Sequence, residues 1–125
     1  MIPSRKISET ILEFGDPVLQ ELPESATKED FEAVMLLVVS AWNAVVLDEW
    51  NKTRKFEKEF IKALRPMPKE FDGIPRKLIW RKKRKYSSDP RAVGNYWVIE
   101  KNGGYVFRAE ARLDLQGIEG IGVKQ

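Results

Sequence analysis

The sequence predicts an α+β domain, with three to four helices around a buried central helix and a C-terminal antiparallel β-hairpin. Two observations predict this class. From Ala33 to Leu47, 13 of 15 residues are apolar, and a helix that is apolar on every side is buried on every side. After Ser87 the hydrophobic period changes to two, which is typical of strands. A chain of 125 residues suits one such domain, which we place at residues 1–115, with a flexible C-terminal tail at 116–125.

The first helix is predicted from Ile7, Ile11 and Phe14, which are spaced for one buried stripe. Gly15-Asp16-Pro17 is expected to interrupt this helix, because Asp16 can cap a new start with Pro17 in its first turn.

The central helix is predicted at residues 28–48. Thr27 can accept a backbone N–H at its start, and Asp30 is favourable near the positive helix end. Because almost no solvent face remains, this helix is either the centre of the domain or half of a dimer seam. Asn43 needs hydrogen-bond partners there. It could bind a ligand or fix a dimer register, although such an amide more often bonds a backbone carbonyl or a neighbouring side chain.

Two further helices follow. Phe56 and Phe60 lie in one row of the third helix. The sequence leaves open whether this helix continues the central one or breaks near Asn51. Pro75 can occupy the first turn of a fourth helix that extends to about Tyr86.

Asn102-Gly103 predicts the turn of a hairpin over residues 95–113. With these two residues at its centre, Lys101 faces Gly104 and Val98 faces Phe107. One face of the hairpin is then apolar throughout. It carries Tyr96, Val98, Phe107, Ala109, Ala111 and Leu113. A lone hairpin is marginal in water, so the helices are expected to cover this face.

Positive charge is concentrated between Arg76 and Tyr86, where seven of eleven residues are Lys or Arg and none is acidic. The whole chain has 22 Lys and Arg against 19 Asp and Glu. Without the seven, 15 cations face 19 acids, so the rest of the protein is net acidic. This contrast favours an acidic partner for the fourth helix.

The candidate binding surface is the outer face of helix 76–86. Leu78, Ile79 and Tyr86 share one side of this helix, and Lys82 is expected to lay its methylenes along them and lift its ammonium to water. Trp80 falls on the opposite side. The predicted phosphate or carboxylate contacts are Arg76, Lys77, Arg81, Lys83 and Arg84, with Trp80 as a platform.

Trp80 has three interpretations. It can stack on a nucleobase while the cations hold phosphates. It can instead hold a cation of its own helix by a cation–π contact, or pack under the hairpin. Four phosphate contacts would give a log–log salt slope of about −3 to −4.

Catalysis is not expected. The chain has no His and no Cys, which removes the usual general base, thiolate nucleophiles and the commonest transition-metal ligands. Asp89, Glu100 and Lys101 invite comparison with Mg²⁺-dependent nuclease motifs, but adjacent strand residues such as Glu100 and Lys101 point to opposite faces. We therefore predict no catalytic residue, no metal site and no cofactor.

The stretch from Trp80 to Val98, Trp-Arg-Lys-Lys-Arg-Lys-Tyr-Ser-Ser-Asp-Pro-Arg-Ala-Val-Gly-Asn-Tyr-Trp-Val, resembles small bacterial proteins of unassigned function. In these, a basic helix, an Asp-x-Arg turn and a hairpin occur in this order. The resemblance implies no activity. It implies that Asp89 and Arg91 form a structural hinge between helix and hairpin, as a local ion pair.

The function predicted first is a non-catalytic interaction protein. It would bind a protein partner, or itself as a homodimer, through the apolar central helix or the hairpin edge. The alternative is nucleic-acid or other polyanion binding through helix 76–86, and a Mg²⁺-dependent carboxylate enzyme is a distant third. Residues 1–6 are followed by acids rather than an apolar segment, and the longest apolar run falls short of about 20 residues. We therefore expect a soluble, cytoplasmic protein with no membrane partner.

Overall fold

Four helices and a two-stranded antiparallel sheet form the computed structural model over the residues that it describes, 6–64 and 73–113. In chain order they are α1 (Ile7–Leu19), α2 (Lys28–Asn51), α3 (Lys55–Ala63), α4 (Ile74–Lys85), β1 (Ala92–Lys101) and β2 (Gly104–Arg112). α2 contacts the other three helices and β1, while β2 contacts α1. The predicted α+β class is confirmed. The tail predicted at 116–125 lies outside the described residues.

α2 is the centre of the fold. It begins with a capping box, in which the Asp30 amide donates to Thr27 Oγ1 at 3.1 Å and the Thr27 amide donates to Asp30 Oδ2 at 3.0 Å. Every residue from Val38 to Asp48 is buried within the chain, so this segment is the core of the domain and not a dimer seam. α2 is also long and apolar enough to cross a membrane by length and composition alone. The core helix of a soluble protein passes the same test, and over half of its most apolar segment is buried here.

α1 is one continuous helix, so the predicted interruption at Gly15-Asp16-Pro17 is wrong. Gly15 lets α1 approach α2 closely, because a Cβ at this position would lie 2.8 Å from Val38 Cγ1. Pro17 has no N–H, which leaves the Glu13 carbonyl without its helical donor. Nη2 of Arg81 donates to that carbonyl at 3.0 Å. A cation from α4 thus replaces the hydrogen bond that the proline removes.

α2 and α3 are separate helices, which answers the question that the sequence left open. Lys52 follows α2 in the left-handed region, with φ at 53°. The Asp48 carboxylate then caps α3, accepting from the amides of Phe56 at 2.8 Å and Glu57 at 2.9 Å. Burial raises the pKa of the Asp48 carboxyl above its usual value.

Lys82 does not reach water as expected, because its side chain is fully buried. Nζ donates to the carbonyl oxygens of Tyr86 at 2.8 Å and Asp89 at 3.0 Å, and lies 4.5 Å from the centroid of the Trp42 ring. The loop after α4 turns these carbonyls inward, where they need a buried donor. Burial lowers the pKa of the Lys82 ammonium.

The ion pair between Asp89 and Arg91 is confirmed. Arg91 Nη2 lies 2.7 Å from Asp89 Oδ2 and Arg91 Nε lies 2.9 Å from Oδ1, with both side chains buried. This pair links the end of α4 to the start of β1.

The hairpin has the predicted register, with Lys101 opposite Gly104 and Val98 opposite Phe107. β1 begins earlier than predicted, at Ala92, and a bulge lies between Val93 and Asn95. The Arg112 side chain occupies the space that a Cβ at Gly94 would need. Because a bulge changes which side chains face inward, the predicted apolar face ends there. Ala111 and Leu113 are exposed, which corrects their assignment to the buried face.

Asn43 attaches α2 to the first part of β1. Its Nδ2 donates to the Val93 carbonyl at 2.9 Å, and its Oδ1 accepts from the Val93 amide at 2.7 Å. The side-chain amide therefore pairs with β1 as a neighbouring strand would. Next to it, Trp42 Nε1 donates to the Arg91 carbonyl at 2.6 Å. Of the roles considered for Asn43, bonding to backbone is the one observed.

Candidate nucleic-acid interface

The six predicted site residues lie along α4, but they do not form one surface. Arg76, Trp80 and Lys83 line a groove between α3 and α4. Lys77 and Arg84 are exposed on α4 and are not among the residues that line this groove. Arg81 points to α1 instead.

Trp80 is 58% exposed. Packing under the hairpin, one of its three interpretations, is therefore wrong. The guanidinium carbon of Arg84, one helical turn further on, lies 4.9 Å from the centroid of its ring. The cation–π contact within the helix is thus present, and more than half of the residue still faces solvent. The indole can stack on a planar partner at the rim of the groove.

Arg81, which the sequence assigned to the binding surface, contacts α1 in the structure. Its Nε donates to the Phe14 carbonyl at 2.8 Å and its Nη2 to the Glu13 carbonyl at 3.0 Å. The guanidinium also lies over the Tyr86 ring, 5.8 Å from the centroid. These contacts hold α4 against α1, so Arg81 is not counted among the groove cations.

Lys83 belongs to the groove but already has an anionic partner. Its Nζ lies 2.8 Å from Oε1 of Glu57. The Glu57 side chain is nearly buried, whereas the Lys83 side chain is 42% exposed. Glu57 is the one acid among the described residues that line the groove. Its charge is matched by Lys83, and Glu59 lines a neighbouring cleft together with Arg54, Lys58 and Lys62.

α3 supplies the opposite wall, which the sequence analysis missed. Arg54, Lys58 and Lys62 are spaced by four residues, which places them on one side of the helix, and all three line the groove. They are exposed, and within the described part of the chain none of them forms an ion pair. The four-residue spacing was the available signal. It was hidden because the acids Glu57 and Glu59 alternate with these cations and make the segment look balanced.

The groove has a volume of about 490 Å³ and an apolar floor that includes Ile61 and Ile79. Cations stand on both sides, with Arg54, Lys58 and Lys62 from α3 facing Arg76 and Lys83 from α4. Trp80 stands at the rim. An extended anion can lie along such a channel while a flat ring attached to it stacks on the indole.

Within residues 6–64 and 73–113, no three His, Cys, Asp or Glu side chains come together as a metal site would require. Of the residues compared with a nuclease motif, Asp89 is buried against Arg91. Glu100 is exposed near the turn of the hairpin.

No protein-family model, curated protein or solved structure matches the chain. Its function is inferred from the groove and the surfaces around it.

Proposed function

We propose that the protein binds single-stranded nucleic acid, without catalysis, in the groove between α3 and α4. The observation that carries this proposal is the position of Trp80, 58% exposed at the rim of a groove with cations on both walls. Proteins that bind single strands combine a positive channel for the backbone with aromatic side chains on which bases stack.

Phosphates would lie against Arg54, Lys58, Lys62 and Arg76, which have no anionic partner in the described part of the chain. A base would stack on the exposed part of Trp80. Arg84 already lies against this ring, and its charge remains free to approach a neighbouring phosphate.

A single strand fits these features better than a duplex. The bases of a duplex are stacked on one another, so an exposed indole on a helix adds little to its binding. A flexible peptide of acidic residues alone would satisfy the cations but would leave both the indole and the apolar floor without a matching group. The chain as a whole has a formal charge of only +3, so attraction must come from this local cluster and not from the overall field.

The test is a fluorescence anisotropy titration of a labelled oligothymidylate of about ten nucleotides, at low ionic strength. Trp80→Ala is compared with Trp97→Ala, which removes another exposed tryptophan, on β1 and away from the groove. One base stacked on an aromatic ring is worth about 1–3 kcal/mol. Trp80→Ala should therefore weaken binding by about 5- to 150-fold, while Trp97→Ala should leave it unchanged.

Inorganic polyphosphate, which has charge but no bases, serves as the competitor. It should displace the oligonucleotide poorly from the wild-type protein. An absence of binding at low salt would overturn the proposal, and so would equal affinities for the two tryptophan variants.

A further inference from the structure

The outer edge of β1 in the hairpin is a second surface that could bind a partner. The hairpin edge is one of the two routes to a protein partner that the sequence suggested. Along the other route, the apolar part of α2, every residue from Val38 to Leu47 is buried within the chain. This surface is separate from the groove, and the inference drawn from it goes beyond nucleic-acid binding.

The outer edge of β1 can be mapped from the register. The tight turn closes on Lys101 opposite Gly104, and in an antiparallel pair hydrogen-bonded and non-hydrogen-bonded positions alternate. Tyr96, Val98 and Glu100 consequently direct their N–H and C=O groups away from β2.

Two hydrogen bonds support this assignment of the outward-facing positions. Ala109, which lies opposite Tyr96, donates its N–H away from β1 to Ser8 Oγ at 3.0 Å. The Tyr96 N–H is bonded to the side chain of its own neighbour, Asn95, at 2.9 Å. Both amides therefore face outward.

Other parts of the two edges are paired. Ser8 of α1 bonds the outer edge of β2, and Asn43 bonds the start of β1 at Val93. Beyond these points, within the described part of the chain, the N–H and C=O groups of Val98 and Glu100 meet no hydrogen-bonding group. Together with the Tyr96 carbonyl they offer five backbone groups to an added strand, and the Tyr96 N–H would add a sixth on leaving Asn95.

A shallow groove of about 510 Å³ lies between this edge and α2. Its lining is apolar and acidic, with no Lys or Arg among the described residues. The lining residues are Glu29, Glu32, Ala33, Leu36, Tyr96, Trp97 and Val98. Leu36 is 47% exposed, and Trp97 and Ile99 on the outer face of β1 are 40% and 41% exposed. Glu32 lies close enough to Tyr96 to add to the effect of burial, which raises the pKa of the Tyr96 hydroxyl.

We propose that β1 accepts an extended segment of a partner protein in which Lys or Arg alternates with apolar residues, as a third strand of the sheet. Added strands are held by backbone hydrogen bonds and selected by the side chains that alternate between the two faces. The cations of the segment would lie beside Tyr96 and near Glu32. Its apolar side chains would lie beside Trp97 and Ile99, whose exposed area they would cover.

A second copy of the chain fits this edge less well. Antiparallel pairing of two β1 strands about Val98 satisfies the same backbone groups, but it places Glu100 of one copy opposite Tyr96 of the other. That carboxylate would then lie on the side of the sheet where Glu32 already stands. Two carboxylates on the same side of the sheet disfavour the pairing of two copies, whereas a cation of a partner at the same place is favoured.

The test uses a blocked peptide of alternating lysine and valine, titrated into the full chain and followed by NMR and amide hydrogen exchange. Saturable binding should slow the exchange of the Val98 and Glu100 amides. A matched peptide of alternating glutamate and valine should bind about tenfold more weakly or worse, given the two acids in the groove. A lysine–valine peptide with alternate amides N-methylated should lose the protection, because it cannot pair with the edge.

Glu32→Lys should weaken binding of the lysine–valine peptide by about three- to tenfold. Glu24→Lys, the same charge change at an exposed connector position, should not. Equal binding of both charged peptides would overturn the proposal, as would protection that survives N-methylation. A concentration-dependent dimer that the lysine–valine peptide dissociates would overturn it in favour of self-pairing.

Discussion

The proposal that nucleic acid binds in the groove makes a quantitative prediction for the salt dependence of binding. Four cations face the groove without an anionic partner in the described residues. They are Arg54, Lys58, Lys62 and Arg76. Each phosphate contact on a single strand contributes about −0.7 to the slope of log K against log salt. Four contacts give a slope of about −2.8, so affinity should fall by about 50-fold between about 50 and 200 mM salt.

The perturbation is the double variant Lys58→Gln/Lys62→Gln. It removes two of the four contacts from the exposed side of α3, so the fold should be little affected. The slope should then fall to about −1.4, and the loss of affinity over the same salt range should fall to about sevenfold. The assay is anisotropy titration of the oligothymidylate at several salt concentrations.

The matched control is Lys101→Gln/Arg108→Gln, which changes the net charge equally at two exposed hairpin positions. The control should keep the wild-type slope. If both double variants reduce the slope by the same amount, binding follows the overall charge and the groove is not the site. If neither changes it, the α3 wall does not contact phosphate.

Two further predictions concern the stability of the fold. Asn43→Leu leaves the buried N–H and C=O of Val93 without partners. At about 1–3 kcal/mol for each group, this variant should lower the free energy of unfolding in urea by roughly 2–6 kcal/mol. Asn51→Leu, at an exposed position of the same helix that donates one bond to the Leu47 carbonyl, should lower it far less, and equal losses would contradict the role assigned to Asn43. Burial lowers the pKa of Lys82 below its ordinary value of 10.5. Between the lowered pKa and 10.5 the unfolded chain therefore binds more protons than the folded chain. The contribution of Lys82 to the free energy of unfolding consequently rises with pH in that window. The free energy of unfolding of the wild type minus that of Lys82→Met should therefore rise as the pH approaches 10.5 from below, and a fall over that range would show that the two carbonyls require the charged ammonium.

Much of the fold could be predicted because local and tertiary preferences agree. The capping box at Thr27 and the apolar stretch after it determine α2, and the Asn102-Gly103 turn determines the hairpin register. The errors occurred where a distant residue reverses a local preference. Pro17 remains inside α1 because Arg81, far along the chain, bonds the carbonyl that the proline leaves free. Nothing in the sequence near Pro17 contains that information.

The candidate site was only half predictable for a related reason. A run of cations is visible in one dimension, but which of them face solvent depends on carbonyls and acids brought together by folding. Lys82 looked like a border residue, and it is buried because the loop after α4 directs the carbonyls of Tyr86 and Asp89 inward. The α3 cations looked unremarkable because acids separate them in sequence, and only the fold shows that one of these acids, Glu57, pairs with Lys83 of α4.

The basic run is therefore only part of the proposed binding site. Of its seven cations, Arg81, Lys82 and Lys83 bond other parts of the chain, and their contacts position α4 against α1, the loop that follows α4, and α3. Asp48 fixes the start of α3, and the pair of Glu57 with Lys83 sets α3 beside α4. These contacts bring cations of two helices to the two sides of one groove. The proposed binding of a polyanion would accordingly depend on the folded α3–α4 pair, and residues 76–86 as a peptide would lack the α3 cations.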